Sequence, residues 1–105
     1  MNLQMDMAQE GLHMFFKNYQ VKTLKALWDA NEGMTSREVW EAVGSDSISR
    51  ASIINFLQDC KENDLLDVEY ITGKGGHRGI YKPKRDEAET KEYLKKVFKE
   101  KLDNL

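Results

Sequence analysis

The chain has 105 residues, 40% of them apolar and 32% charged, with a formal net charge of −2. That length supports one compact unit with a single core. The lone cysteine, Cys60, excludes an intramolecular disulfide, and with only His13 and His77 beside it no set has zinc-ligand spacing, so neither a metal nor a cofactor is expected. Met1 to Met7 lack a basic start and an unbroken apolar run, so no signal peptide or spanning helix is expected and the location expected is cytoplasmic, without membrane contact.

In chain order, Met5, Ala8, Leu12, Phe15, Phe16 and Tyr19 recur at spacings of three and four, which predicts an N-terminal helix over residues 1–19. So apolar a terminus calls for a covering surface, and a partner subunit is one candidate. Val21, Leu24, Leu27 and Trp28 continue the period, and Asn31-Glu32-Gly33 supplies a stop with Gly33 as the expected left-handed cap. Thr35-Ser36-Arg37-Glu38 has the form of a capping box, in which hydroxyl and carboxylate each satisfy an amide of the first turn. The short helix it opens runs to Val43, with Val39, Trp40 and Val43 inward, and Gly44-Ser45-Asp46-Ser47 makes a tight polar turn.

Ser47 or Ser49 caps the next helix, which carries Ile53, Phe56, Leu57 and Cys60 on one face and Ser49, Arg50, Ser52, Asn55 and Asp59 on the other. Asn63 and Asp64 end it, being residue types that tolerate left-handed geometry. Leu66 to Thr72 alternates as a strand, Gly73 to Gly79 reads as a loop, and Ile80-Tyr81-Lys82 returns as a second strand closed by Pro83. After a cap at Asp86, a last helix over residues 86–105 carries Leu94, Val97, Phe98, Leu102 and Leu105 on a narrow stripe.

The acidic total argues at first against nucleic acid, since phosphate binding rests on Lys and Arg. Distribution argues the other way. From Gly73 to Arg85 the chain carries Lys74, Arg78, Lys82, Lys84 and Arg85 with no acidic residue, a local charge of +5 on an otherwise acidic body.

The fold expected is therefore mainly α with a small β-hairpin: a winged helix-turn-helix over residues 20–85 with extra N- and C-terminal helices. Thr35-Ser36-Arg37-Glu38-Val39-Trp40, Ser52-Ile53-Ile54-Asn55-Phe56-Leu57, Asp64-Leu65-Leu66 and Gly79-Ile80-Tyr81-Lys82-Pro83 resemble the penicillinase-repressor and MarR groups of transcription regulators. The resemblance covers Val21 to Pro83 and implies a homodimeric repressor on a palindromic operator in double-stranded DNA. Asp64 stands where those groups usually have glycine.

On this view Arg50 and Asn55 could pair with guanine and adenine, and Ser49 and Ser52 suit phosphates. Lys74, His77 and Arg78 extend from the glycine-rich tip toward the backbone or minor groove. Leu12, Phe15 and Phe16, with Leu94, Val97, Phe98 and Leu102, would hold the dimer. Trp28, Trp40 and Cys60 read as core, and the methionines with Phe15 and Phe16 read as packing before ligand pocket, so a small-molecule effector has no specific support. No nucleophile, base and orienter occur together, and an enzyme is not expected. The rival expectation is a winged-helix module that contacts protein without binding DNA.

Overall fold

The computed structural model describes residues 4–30, 32–73 and 76–105, with side chains at all of these except 73, 76 and 77. A 3-10 turn, Gly11–Met14, precedes helices α1 (Asn18–Asp29), α2 (Ser36–Val43) and α3 (Arg50–Glu62). Strands β1 (Leu66–Gly73) and β2 (Gly76–Pro83) follow, and helix α4 (Glu87–Asp103) closes the chain. The architecture is thus mainly helical with one two-stranded antiparallel sheet. Among the described residues no helix is long and apolar enough to cross a membrane.

The N-terminal helix expected from the apolar spacing does not form over the described residues. Gly11 takes φ 62, Glu10 before it is extended, and among the described residues before Asn18 only the 3-10 turn is helical. The apolar residues reach the core without a helix: Leu12 and Phe16 are buried, and the amide of Asp6 donates to the Met14 carbonyl at 2.6 Å, folding the segment back on itself. Helix α1 starts at Asn18, where the Gln20 side chain accepts the Lys17 amide at 2.8 Å.

Helix α1 also ends earlier than expected, with Ala30 as an extended cap at φ −76 and ψ 132, and Gly33 is not in the left-handed region. Gly33 is needed for a different reason. Met34 and Tyr81 exchange both backbone hydrogen bonds, at 3.0 and 2.8 Å, in an isolated antiparallel bridge. That pairing brings the chain so close to β2 that a Cβ on Gly33 would collide with Ile80 Cγ2 and stand 2.9 Å from Lys82 Cγ. Gly33→Ala should therefore cost about 1 to 3 kcal/mol, the usual penalty of forced overpacking. Thermal unfolding beside wild type checks this, and an unchanged midpoint would contradict it.

The caps of α2 and α3 follow the sequence. Thr35 Oγ1 accepts the Glu38 amide at 3.2 Å while Glu38 Oε1 accepts the Thr35 amide at 2.9 Å. Gly44 turns the chain at φ 124, and the Trp40 indole N–H donates to the Ile48 carbonyl at 2.7 Å, pinning the link between the two helices. Ser49, not Ser47, caps α3, accepting the Ser52 amide at 3.1 Å. At the other end Asp64 adopts φ 64. The amides of Leu65 and Asp64 bond back to the carbonyls of Cys60 and Lys61 at 2.9 and 3.3 Å, both bonds of a Schellman cap.

Val21, Leu24 and Leu27 of α1 meet Val39 of α2, Ile53, Phe56, Leu57 and Cys60 of α3, and Leu66 and Tyr81 of the hairpin in one core. Trp28 and Trp40 pack against it, each with its indole N–H bonded to a carbonyl. Leu94 of α4 is fully buried in the same cluster. Helix α4 opens on Asp86, whose carboxylate accepts the Glu89 amide at 2.7 Å.

The hairpin is longer than expected. The register pairs Ile71 with Arg78, Thr72 with His77 and Gly73 with Gly76, so most of the seven-residue loop read from Gly73 to Gly79 is strand. Lys74 and Gly75, at the tip, lie outside the described residues.

Candidate nucleic-acid interface

Helix α3 carries four residues singled out from the sequence. Arg50 and Asn55 are exposed, Ser49 is the exposed cap and Ser52 is half-buried, with the two serine hydroxyls 2.9 Å apart. At about 100° per residue, these positions do not share one face as the sequence suggested. Arg50 and Asn55 stand about 140° apart and Arg50 and Asp59 about 180° apart. Alternation of apolar and polar residues hides this division, because the buried set Ile53, Phe56, Leu57 and Cys60 leaves a broad remaining arc. Ala51, Asn55 and Glu62 take its outward centre, and Arg50 takes the flank toward the hairpin.

On that flank lies a cleft of about 500 Å³ lined by Thr35, Ser36, Arg37, Glu38, Arg50, Arg78 and Gly79. The structure thus brings Arg50 of α3 and Arg78 of β2 to the first turn of α2. Arg37 is taken by Glu41 at 3.1 Å, and the Glu38 carboxylate is engaged by the Thr35 amide. Among the described residues the side chains of Arg50 and Arg78 have neither an ion pair nor a hydrogen-bond partner. Two guanidinium groups beside the partial positive charge of a helix start make a surface for an anion of phosphate type. Thr35, Ser36 and Gly79 were not read as site residues. The capping box located the helix start in the sequence, but nothing local placed it beside Arg78.

The local charge of +5 counted along the hairpin is reduced in three dimensions. Lys84 pairs with the Asp64 carboxylate and lies 3.6 Å from Asp67. Arg85 pairs with Asp64 at 3.2 Å and donates to its carbonyl oxygen at 2.6 Å. The cross-strand partner of Lys82 is Asp67. The count along the chain misses this because the fold brings Asp67 of β1 and Asp64 of the preceding turn beside Lys84 and Arg85, which follow β2. Among the described side chains Arg78 and Lys82 of the hairpin enter no ion pair, and of the two only Lys82 lies opposite an acidic residue across the strands. The side chains of Lys74 and His77 lie outside the described residues.

The hydrogen bonds from Lys84 and Arg85, in that order, hold the Asp64 carboxyl below its ordinary pKa, and the bond to Asp64 holds Lys84 above its own. A depressed carboxyl contributes stability above its unfolded pKa and loses it as pH falls through the folded value; a raised lysine loses its share only as pH rises through its folded value. Wild type should therefore exceed Asp64→Asn in urea midpoint near neutrality, with the gap closing below about pH 4. A gap that persists undiminished in acid would contradict this origin.

Of the residues expected to hold a dimer, Leu12, Phe16 and Leu94 are buried within the chain's own core. Phe15 stacks on Phe98 with centroids 4.7 Å apart, again within one chain. Val97 is half-buried, and the stripe of α4 runs out into solvent at Leu102, 54% exposed. Met5, Met14, Phe15 and Phe16 border an open cavity of about 700 Å³ that His13 and Lys17 also line, whereas Met7 faces solvent. Cys60 is fully buried, and burial with the nearby charge of Asp59 pushes its thiol far above the usual range, which keeps it protonated and unreactive.

Comparison with models of known protein families finds no match. Comparison with curated proteins finds no match either.

Proposed function

We propose that the chain is a winged helix-turn-helix regulator that binds double-stranded DNA sequence-specifically as a homodimer and acts as a repressor on a palindromic operator. The order α2, turn, α3 and hairpin, with the Met34 bridge bracing β2, supports the winged-helix reading. The observation that carries the function is the pairing of Arg50 and Arg78, without acidic partners, around the start of α2 in a chain of net negative charge.

In this reading the cleft takes backbone phosphate, which sets register, and Asn55 at the outward centre of α3 reads a base edge. Arg50, turned toward the cleft, serves phosphate before guanine. Ser49 and Ser52 flank the same backbone, and Lys74 and His77 would extend the contact from the hairpin tip. The half-buried Val97 and Phe98 and the exposed Leu102 of α4 would meet a second copy. The reading requires no cofactor and no catalytic step.

The rival is a protein-contacting module, favoured by one feature: the outward centre of α3, Ala51, Asn55 and Glu62, holds no cation. Selection from a randomised duplex library separates the two. DNA reading predicts enrichment of a palindrome with half-sites about 34 Å apart, one helical turn. Folded chain that enriches no common sequence would favour the rival.

A further inference from the structure

Arg85 stands where the hairpin ends and α4 begins, and both its side chain and its carbonyl are engaged. The guanidinium donates to the Asp64 carbonyl at 2.6 Å and pairs with the Asp64 carboxylate at 3.2 Å. It also lies 3.9 Å from the centre of the Tyr93 ring in α4, within cation–π range. The Arg85 carbonyl accepts the Trp28 indole N–H of α1 at 3.0 Å. Tyr93 donates its hydroxyl to the Asn63 carbonyl at 3.1 Å. Asn63 and Asp64 are the two residues that cap α3. The last turn of α3, the end of the hairpin and the first turns of α4 therefore meet in one knot of directional bonds.

The choice of residue at position 64 is informative. A C-cap alone is served best by glycine, which takes left-handed geometry without strain. Asp64 holds φ 64 with a side chain, and that side chain is spent on Lys84 and Arg85. The other ties of α4 to the body, Leu94 in the core and Phe98 on Phe15, are apolar contacts and less directional. A planar guanidinium held at two oxygens and stacked on a ring sets a direction.

We propose that Asp64 and Arg85 are positioning residues that fix the direction of α4 relative to α3, and thereby the spacing at which two copies of α3 meet DNA. The second half of this inference rests on the dimeric DNA-binding reading. The first half does not.

Nitroxide labels on Ala51→Cys, at the end of α3 remote from the joint, and Lys101→Cys in α4, both exposed positions, give a distance that changes with the angle between the helices. The buried native Cys60 escapes labelling, and dilution with unlabelled chain isolates distances within one copy. Wild type should give a narrow distance distribution, and Arg85→Ala and Asp64→Asn broad ones. Asp64→Asn keeps a residue that tolerates the left-handed cap, so it tests the joint even if Arg85→Ala fails to fold. Unchanged widths in the folded variants would overturn the joint.

On duplexes with half-sites at graded spacings, wild type should prefer one spacing. Asp64→Asn should lose that preference while keeping its affinity for a single half-site. A retained preference would overturn the spacing claim. A wild type that binds no duplex would remove the DNA reading, and the label distances would still decide the joint.

Discussion

Phe56→Ala should lower stability by about 3 to 5 kcal/mol, the usual cost of emptying a buried aromatic site. Phe56 is 1% exposed and central to a run of rings. It stands edge-on to Phe16 at 5.8 Å and to Tyr19 at 6.2 Å, and Phe16 leads through Phe15 to Phe98 on α4. One side chain of α3 thus supports α1, the N-terminal segment and, through it, α4. Against a total of about 5 to 15 kcal/mol for an ordinary domain, the loss should drop the melting temperature by more than about 10 °C. Phe56→Leu, which keeps most of the volume, should cost about 1.5 kcal/mol or less. Urea unfolding of both variants checks the ranking; equal losses would contradict it, because retained volume would then give no protection.

Arg50→Ala and Arg78→Ala should each weaken DNA binding about tenfold or more, since a hydrogen bond to a charged group contributes about 1.5 to 3 kcal/mol. Each should also reduce the slope of log affinity against log salt by about 1, and should do so for every DNA sequence tested. Because both side chains line one cleft, the double variant should lose less than the sum. Stability should move by less than about 0.5 kcal/mol, both residues being exposed and without partners among those described. Asn55→Ala should behave differently, relaxing the preference at one base position with little change in salt slope. Anisotropy titrations on specific and mixed duplexes distinguish the patterns. Full affinity in the double variant would remove the cleft from the interface.

What the sequence disclosed and what it hid divide by range. The capping box at Thr35 and Glu38, the cap at Ser49 and the left-handed stop at Asp64 are local bonds between residues a few positions apart, and each is legible as a short pattern. The apolar period from Val21 to Trp28 is legible for the same reason. The N-terminal segment has that period too, yet Gly11 turns left-handed and Leu12 and Phe16 reach the core from a 3-10 turn, a tertiary solution that periodicity cannot separate from a helix. Gly33 looked like a helix stop because its true constraint, Ile80 and Lys82 on β2, lies nearly fifty positions away.

Charge was misjudged for the same cause. Lys84 and Arg85 look free along the chain, and only the fold brings Asp64 to them. The meeting of Arg50 with Arg78 is equally non-local and equally absent from any short pattern, although both residues were singled out individually.

The most direct measurement of the DNA-binding claim is a fluorescence titration of the wild-type chain against mixed duplex DNA at two salt concentrations. Binding at low ionic strength that weakens steeply as salt rises is the predicted result, because phosphate contacts release counterions. Absence of binding at the lower salt, with the chain folded, would contradict it.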